Sequence, residues 1–338
     1  MNEPIILGIE SSCDDTSAAI INGNKILSNI AANQTVHQEY GGVVPELASR
    51  AHQQNIIPVV EKSFTKANIQ QKDISAIGFT RGPGLLGSLL VGTSFAKSLA
   101  MSLDVPLIEV NHLQAHILCH FIEDANPMPP KFPFLCLTVS GGHTMIVLVK
   151  DYFDMEIIGK TIDDAAGEAF DKIGKIMGLD YPAGPIIDKV AKLGNPDAFT
   201  FGKPKLENYD YSFSGIKTSV LYFLQKQLKE NPNFIQENVE NLCASVQKTI
   251  IDVLMKKLEK AAFDYDVKEV AIAGGVSANS GLREAMQNNV ERLGWKVYIP
   301  KFEYTTDNAA MIAMVAKLKF ERGEFTDLRT NATARYDM

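Results

Sequence analysis

The chain has 338 residues, 46% of them hydrophobic and 22% charged, with a formal net charge of −7. That length accommodates two ordinary domains, and the composition is that of a soluble globular enzyme rather than a disordered or fibrous chain. The acidic balance excludes a surface that attracts nucleic acid everywhere, so RNA would need a local patch, for which Lys317, Lys319, Arg322, Arg329 and Arg335 are candidates.

The chain opens Met-Asn-Glu-Pro before a five-residue apolar run, without the basic start and long apolar stretch of a signal peptide. That run, 5–9, predicts a strand entering the polar loop Glu10-Ser-Ser-Cys-Asp-Asp-Thr16; residues 17–21 return, and Asn22-Gly23-Asn24 make a turn. A strand over 74–80, a Gly-rich loop, a long helix, a strand over 105–110 and a helix beginning near His112 follow. The apolar stretch 85–103 is interrupted by Gly87, Gly92 and Lys97, which argues against a membrane span. Cys13, Cys119, Cys136 and Cys243 are scattered without a CxxC, the pattern of reduced cytosolic thiols and not of a cysteine-based zinc site.

After Pro127, Pro129, Pro130 and Pro133 the same pattern restarts. A strand over 134–139 enters Ser140-Gly-Gly-His-Thr144 and returns over 145–149. Helical periodicity then dominates from about 162 to 262: Ala166, Ala169, Phe170, Ile173 and Met177 share one face, and 214–229 and 239–262 read alike. A strand over 270–274, a glycine loop, a helix, a strand over 296–300 and a helix beginning near Asp307 repeat the close of the first half. The expected architecture is therefore α/β, with two duplicated lobes, 1–111 and 112–338. The second carries the helical insertion of about 162–262, and the last helix is a candidate to pack across both. In each lobe helices cover a parallel or mixed sheet with the opening hairpin at its edge. The pattern resembles the actin, sugar-kinase and heat-shock ATPase superfamily (ASKHA), whose related lobes face each other across a ligand cleft.

His112 and His116 lie four residues apart, so both imidazoles leave one helix face one turn apart. His120 continues the stripe about 12 Å along the axis, too far to share an ion. Spacing alone favours two surface histidines. If the duplicated helix starts approach each other, however, Asp307 completes a three-ligand set with open positions, suited to Fe(II) or Zn(II). Leu113 follows His112, so this is not the HExxH of zinc proteases. The Ser140–Gly142 loop and Gly274-Gly-Val-Ser-Ala-Asn279 have the form of anion- or nucleotide-facing loops, although neither fits a Walker or GxGxxG pattern. Asp163, Asp164, Glu168 and Asp171 crowd a helix start, either to grip ribose hydroxyls or as a solvated acidic turn. Glu10, Asp14 and Asp15 are candidate proton acceptors, with ordinary turn residues as the alternative.

Seven stretches, in order along the whole chain, together resemble one family. They are Gly8-Ile-Glu-Ser-Ser-Cys-Asp-Asp-Thr16, Asn111-His-Leu-Gln-Ala-His116, Val139-Ser-Gly-Gly-His-Thr144, Asp164-Ala-Ala-Gly-Glu-Ala-Phe-Asp171, Tyr211-Ser-Phe-Ser-Gly-Ile-Lys217, Gly274-Gly-Val-Ser-Ala-Asn279 and Thr306-Asp-Asn308. The family is the tRNA N6-adenosine threonylcarbamoyltransferases (TsaD, formerly Gcp), once labelled an O-sialoglycoprotein endopeptidase. The resemblance implies transfer of threonylcarbamoyl from threonylcarbamoyl-adenylate to N6 of adenosine 37 in tRNAs reading codons that begin with A, with release of AMP. It implies one divalent metal per subunit on His112, His116 and Asp307, Fe(2+) before Zn(2+). It implies an adenylate site made by Thr138, Val139, Ser140, Gly141, Gly142, Asp171, Gly184, Asp188 and Asn279. It also implies tRNA, an inactive paralogue (TsaB-like) and a small ATPase (TsaE-like) as partners, in the cytoplasm.

Three positions depart from the family pattern: Gln114, Ala183 (where a glycine with φ > 0 would make alanine strained) and Ala309. The competing classes are an ATP-hydrolysing switch or kinase and, remotely, a metallopeptidase.

Overall fold

The computed structural model describes residues 3–34 and 37–338. The chain forms two compact units, one made by residues 1–129 with 300–338 and the other by residues 130–299.

In the first unit, β1 (Ile5–Glu10), β2 (Thr16–Asn22) and β3 (Lys25–Ala32) form an antiparallel meander. A short helix α1 (His37–Tyr40) and the long α2 (Pro45–Ala67) lead to β4 (Ala76–Gly82). Next come α3 (Leu86–Leu103), β5 (Leu107–Asn111) and α4 (His112–Leu118). The sheet order is β3-β2-β1-β4-β5, with β4 parallel to both β1 and β5. The opening hairpin is thus not at the edge as expected, because β1 is the central strand. Its near-continuous apolar run explains why, since both of its faces are covered and only Ile5 is not fully buried. α3 is long and apolar enough to cross a membrane, with mean hydropathy 1.3. It packs on β4 and α2, and its Gly92 lies where a Cβ would come within 2.3 Å of Ser11 Oγ.

The second unit repeats this order. Strands β6 (Phe134–Val139), β7 (Thr144–Asp151) and β8 (Asp154–Lys160) form its meander. The helices α5 (Ala166–Ile176), α6 (Ala183–Ala191), α7 (Ser214–Glu230) and α8 (Phe234–Asp264) follow. β9 (Glu269–Ala273), α9 (Ser280–Leu293) and β10 (Lys296–Tyr298) close the unit. Its sheet reads β10-β9-β6-β7-β8, the same pairing and the same parallel and antiparallel senses as the first. The duplication inferred from apolar runs is therefore a repeated five-stranded topology. Each copy includes a third meander strand that the sequence pattern did not single out. β8 is mostly exposed or half-exposed, so its apolar signal is weak. The core of this unit is built by β6 and β7 against α5 to α8, where Phe170, Tyr211, Phe213 and Leu254 are buried.

The last helix, α10 (Ala309–Glu321), returns to the first unit and lies on β1, β2 and β4. Residues 112–129 and 300–338 thus pack with the first sheet, where a lobe boundary at 111/112 was expected. The cause is the composition of α10, buried at every residue from Ala309 to Leu318. Alanine-rich turns let its backbone come close to the sheet at Gly8 and Gly78, where a Cβ would approach Ala309 O to 2.6 Å and Ala316 Cβ to 2.4 Å.

Candidate metal centre

α4 starts at His112 because Asn111 caps it: the Asn111 Oδ1 accepts from the N–H of Leu113 at 2.9 Å and of Gln114 at 3.2 Å. His112 and His116 then project from consecutive turns, with ring centroids 4.7 Å apart and planes at 89°. Asp307 lies just before Asn308, the N-cap of α10. The packing of α10 on the sheet, against α4, brings that carboxylate to the histidines. Its Oδ1 stands 3.1 Å from His116 Nε2 and 3.4 Å from His112 Nε2, and the three ligand atoms all lie within 4.8 Å of one another. For bonds of about 2.1 Å the edge of a tetrahedron is about 3.4 Å, which both Asp307–histidine separations lie close to. Two imidazoles and one carboxylate, with positions left open, suit Fe(II) or Zn(II) chemistry. The three residues that spacing and duplication singled out do meet. They do so inside the first unit, by the return of α10, rather than through helix starts belonging to two different lobes.

Behind His112 lies a carboxylate with no solvent exposure. Glu10 Oε2 accepts from Thr80 Oγ1 at 2.6 Å and stands 3.0 Å from His112 Nδ1, while the Ser12 N–H donates to its other oxygen. An ionised carboxylate only accepts, so His112 Nδ1 carries a proton and its Nε2 faces Asp307. Burial alone would raise the Glu10 pKa, but the charge and hydrogen bond of His112 outweigh it and the net shift is downward. Burial likewise opposes charge on His112, yet Asp307 and Glu10 hold its pKa well above the usual histidine value. Asp307 is held well below its ordinary value, its burial being outweighed by His112 and then His116. The buried His116 Nδ1 has no hydrogen-bond partner among the described residues, so of the two histidines His112 alone has this carboxylate support there. Sequence reasoning missed Thr80 and Ser12; a polar residue at the end of the buried strand β4 was the only available signal.

The other two loop acids are partly exposed. Asp15 is raised to about 7, first by burial and then by Asp14, Asp307 and Glu10. The loop itself is tied down by a residue that no motif or spacing marks. The buried His52 of α2 places Nδ1 2.7 Å from Thr16 Oγ1 and Nε2 3.0 Å from Cys13 O.

These shifts set a pH dependence for the metal-free protein. Native Asp15 keeps its proton up to about 7, and native His112 beyond the ordinary histidine range, while the unfolded chain releases both earlier. The native state then binds more protons, so stability falls as pH rises from about 4 to 8. Glu10 and Asp307, both shifted down, act oppositely and cost stability only as pH falls below their ordinary values. Urea unfolding at pH 5 and pH 8 should therefore show lower stability at pH 8. A saturating divalent cation should remove the His112 part of that loss, because it replaces the proton on that ligand. Equal stability at both pH values without metal would contradict the assignment.

The residues expected to hold an adenylate lie in the second unit and are engaged as follows. Thr138 and Val139 are fully buried at the end of β6. The Ser140 N–H donates to His143 O at 2.8 Å, which closes the turn, and a Cβ at Gly141 or Gly142 would meet no atom within 4 Å. Those two glycines leave the loop backbone open. Gly274, with φ +84°, does require glycine, since a Cβ would sit 2.5 Å from Val139 O. Asp171 Oδ1 accepts from the N–H groups of Ala183 at 2.8 Å and Gly184 at 3.3 Å, and so caps α6. Asp188 Oδ1 accepts from Ser280 N and Oγ, while Asn279 caps α9 through Leu282 N and donates to Gln247. Asp171 of α5 and Gly184 thus meet at the N-terminus of α6, Asn279 caps α9, and Asp188, further along α6, reaches that end of α9 through Ser280. Ala183 is the first residue of α6 with no positive φ, so the strain feared there does not arise. Asp163 turns out to cap α7, accepting from Phe213 N and from the hydroxyls of Ser212 and Ser214.

The basic candidates near the end of the chain do not form one exposed patch. Lys317 is 8% exposed and pairs with Glu321, and Lys319 donates to Glu109 O.

The twin five-stranded sheets, each flanked by helices, define an actin-like α/β protein of the sugar-kinase and heat-shock ATPase type. Solved structures agree on the fold. HypF in its phosphate- and nucleotide-bound form matches 96% of this chain with 48% of its own at TM-score 0.60 and 13% identity. Component A of the (R)-2-hydroxyglutaryl-CoA dehydratase of Acidaminococcus fermentans covers 94% of this chain with 98% of its own at TM-score 0.52 and 14% identity. Within that fold class, residues 25–314 match the model of the TsaD family, tRNA N6-adenosine threonylcarbamoyltransferase. A relative of that name in Riemerella anatipestifer is 80% identical over 100% of this chain and 99% of its own. Another in Christiangramia forsetii is 61% identical over 98% and 97%. The chain belongs to the tRNA N6-adenosine threonylcarbamoyltransferase family, and it is a transferase.

Proposed function

We propose that the chain transfers the threonylcarbamoyl group of threonylcarbamoyl-adenylate to N6 of adenosine 37, beside the anticodon, in tRNAs reading codons that begin with A. AMP leaves. The observation that carries this reading is the meeting of His112, His116 and Asp307 in a chain that matches the family over nearly its full length.

AMP is a good leaving group, so no covalent enzyme nucleophile is needed; the difficulty is the weakly nucleophilic N6 amine. Positioning and charge stabilisation should therefore dominate. The Ser140–Gly142 backbone holds the phosphate, and Asp171, Gly184, Asp188 and Asn279 hold the nucleoside. His112, His116 and Asp307 hold one divalent cation, Fe(2+) before Zn(2+), which when bound supplies Lewis acidity toward a phosphate or carbamoyl oxygen. Glu10 keeps the His112 tautomer correct from a sealed position. That leaves the partly exposed Asp14 and Asp15 as the loop acids able to reach a proton.

Partner proteins fit the surface. Leu86, Leu90 and Met101 of α3 fall within about 60° of one another around the helix and are exposed, as is Ile57 on the neighbouring α2. An apolar face of this kind suits the related inactive paralogue, with the small ATPase completing the assembly. The four cysteines form no disulfide among the described residues, which accords with a reducing cytoplasm.

The test is reconstitution with threonylcarbamoyl-adenylate and unmodified tRNA, with and without the paralogue and the ATPase, scored by nucleoside mass spectrometry. Modified adenosine formed in step with AMP is the expected result. Absence of product with all components present, alongside steady ATP turnover by the chain alone, would replace this reading by an ATP-hydrolysing switch.

A further inference from the structure

The segment after α10 runs back along the first sheet. The Thr326 N–H donates to Leu107 O at 2.7 Å and Thr326 Oγ1 accepts from the Glu109 N–H at 2.8 Å. Further on, the Thr333 N–H donates to Arg81 O at 2.9 Å and the Gly84 N–H to Ala334 O at 3.2 Å. The approach is close: a Cβ on Gly82 would lie 2.0 Å from Thr333 O. Side chains fasten the same path. The Arg81 guanidinium sits 4.7 Å over the Tyr336 ring and pairs with Glu109 at 2.7 Å, and Tyr336 OH donates to Glu109 Oε1 at 3.0 Å.

The path finishes at the residue that starts the metal helix. Asn111 Nδ2, in a side chain 3% exposed, donates to the carbonyls of Tyr336 at 3.3 Å and Asp337 at 3.1 Å. The other end of the same amide, Oδ1, caps α4 at Leu113 and Gln114. A buried amide fixed at both ends has one orientation, and that orientation holds the first turn of α4. His112 is the first residue of that turn and His116 lies one turn on.

We propose that residues 326–337 act as a strap that sets the ligand helix. The Tyr336 and Asp337 carbonyls hold Asn111 in its capping orientation, and Asn111 in turn keeps His112 and His116 in register for Asp307. Asn111, Tyr336 and Arg81 are positioning residues in this scheme. Its consequence for ligand geometry rests on the metal reading above, whereas the cap itself does not.

The test is hydrogen exchange on the full-length protein, on a variant lacking residues 329–338, on Asn111→Ser and on the combination. Deletion should speed exchange at the Leu113 and Gln114 amides by about tenfold or more while leaving β1 and α10 protected. Serine keeps a capping oxygen but loses the donor to the strap, so deletion in the Asn111→Ser background should change α4 little. Tyr336→Ala loosens the strap in the full chain and is expected to act in the same direction, which keeps the question decidable if the deletion does not fold. Unchanged α4 exchange, an equal rise across the whole unit, or an undiminished effect of deletion in Asn111→Ser would each overturn the proposal. Titration with Co(2+) should show about tenfold weaker binding in the deletion and Tyr336→Ala variants. Failure of the unaltered protein to bind Co(2+) would count against the metal reading alone, since the exchange data would still decide the strap.

Discussion

Asp307→Ala is expected to weaken Co(2+) or Zn(2+) binding by more than about 100-fold, or about 2.7 kcal/mol, and to abolish threonylcarbamoyl transfer with it. Asp307 is the only anionic member of the three-ligand set, and its single Oδ1 faces both histidine Nε2 atoms. The substitution leaves two neutral imidazoles and no charge to offset dehydration of a dication. His112→Ala should reach a similar loss by removing a ligand outright. Glu10→Gln should fall between these variants and the unaltered protein, about 10- to 100-fold weaker, because it disturbs the proton on Nδ1 without removing a ligand. Isothermal titration with the metal-free variants separates the cases. Full transfer by metal-free protein carrying both His112→Ala and Asp307→Ala would sink the assignment.

Gly8→Ala should have the next largest effect, for a reason unrelated to glycine's backbone freedom. The new Cβ would lie 2.6 Å from both Ala309 O and Ala313 N, and these are backbone atoms of α10 that no rotamer change can move away. Either α10 lifts from β1 or the strand retreats, at a cost of about 1–3 kcal/mol. Because Ala309 lies two residues after Asp307, the displacement should also weaken metal binding. Gly141→Ala is the control, since its Cβ would meet nothing within 4 Å and stability should stay within about 0.5 kcal/mol. Urea denaturation of the two variants, with Co(2+) titration of each, checks both parts. A Gly8→Ala protein as stable as its parent would show that the sheet and α10 are less tightly packed than these distances state.

The repeated topology was legible because each of its signals is local. Apolar runs at 5–9 and 134–139 mark strands buried on both faces, and each is followed by a turn-rich loop and a returning strand. The third meander strands were not legible. β3 and β8 are half-exposed, and a strand that buries little apolar surface leaves a weak pattern. α6 was missed for another reason, because its N-terminus depends on Asp171, twelve residues earlier, accepting from Ala183. The helix α8 was placed correctly but started too late, since its first turn carries few buried residues.

By itself the sequence determined that His112 and His116 share one helix face, because 3.6 residues per turn puts i and i+4 together wherever the helix packs. It also determined the two strand-rich halves, since side-chain alternation and apolar runs are properties of neighbouring residues. The tertiary structure alone decided that Asp307 meets those histidines within the first unit, carried there by α10 lying on Gly8 and Gly78. It decided that Glu10, one acid among three in its loop, is sealed behind His112, and that Tyr336 and Asp337 reach Asn111. These contacts join residues roughly one hundred or more positions apart, so they arise only when separate elements pack, and no spacing along the chain encodes them.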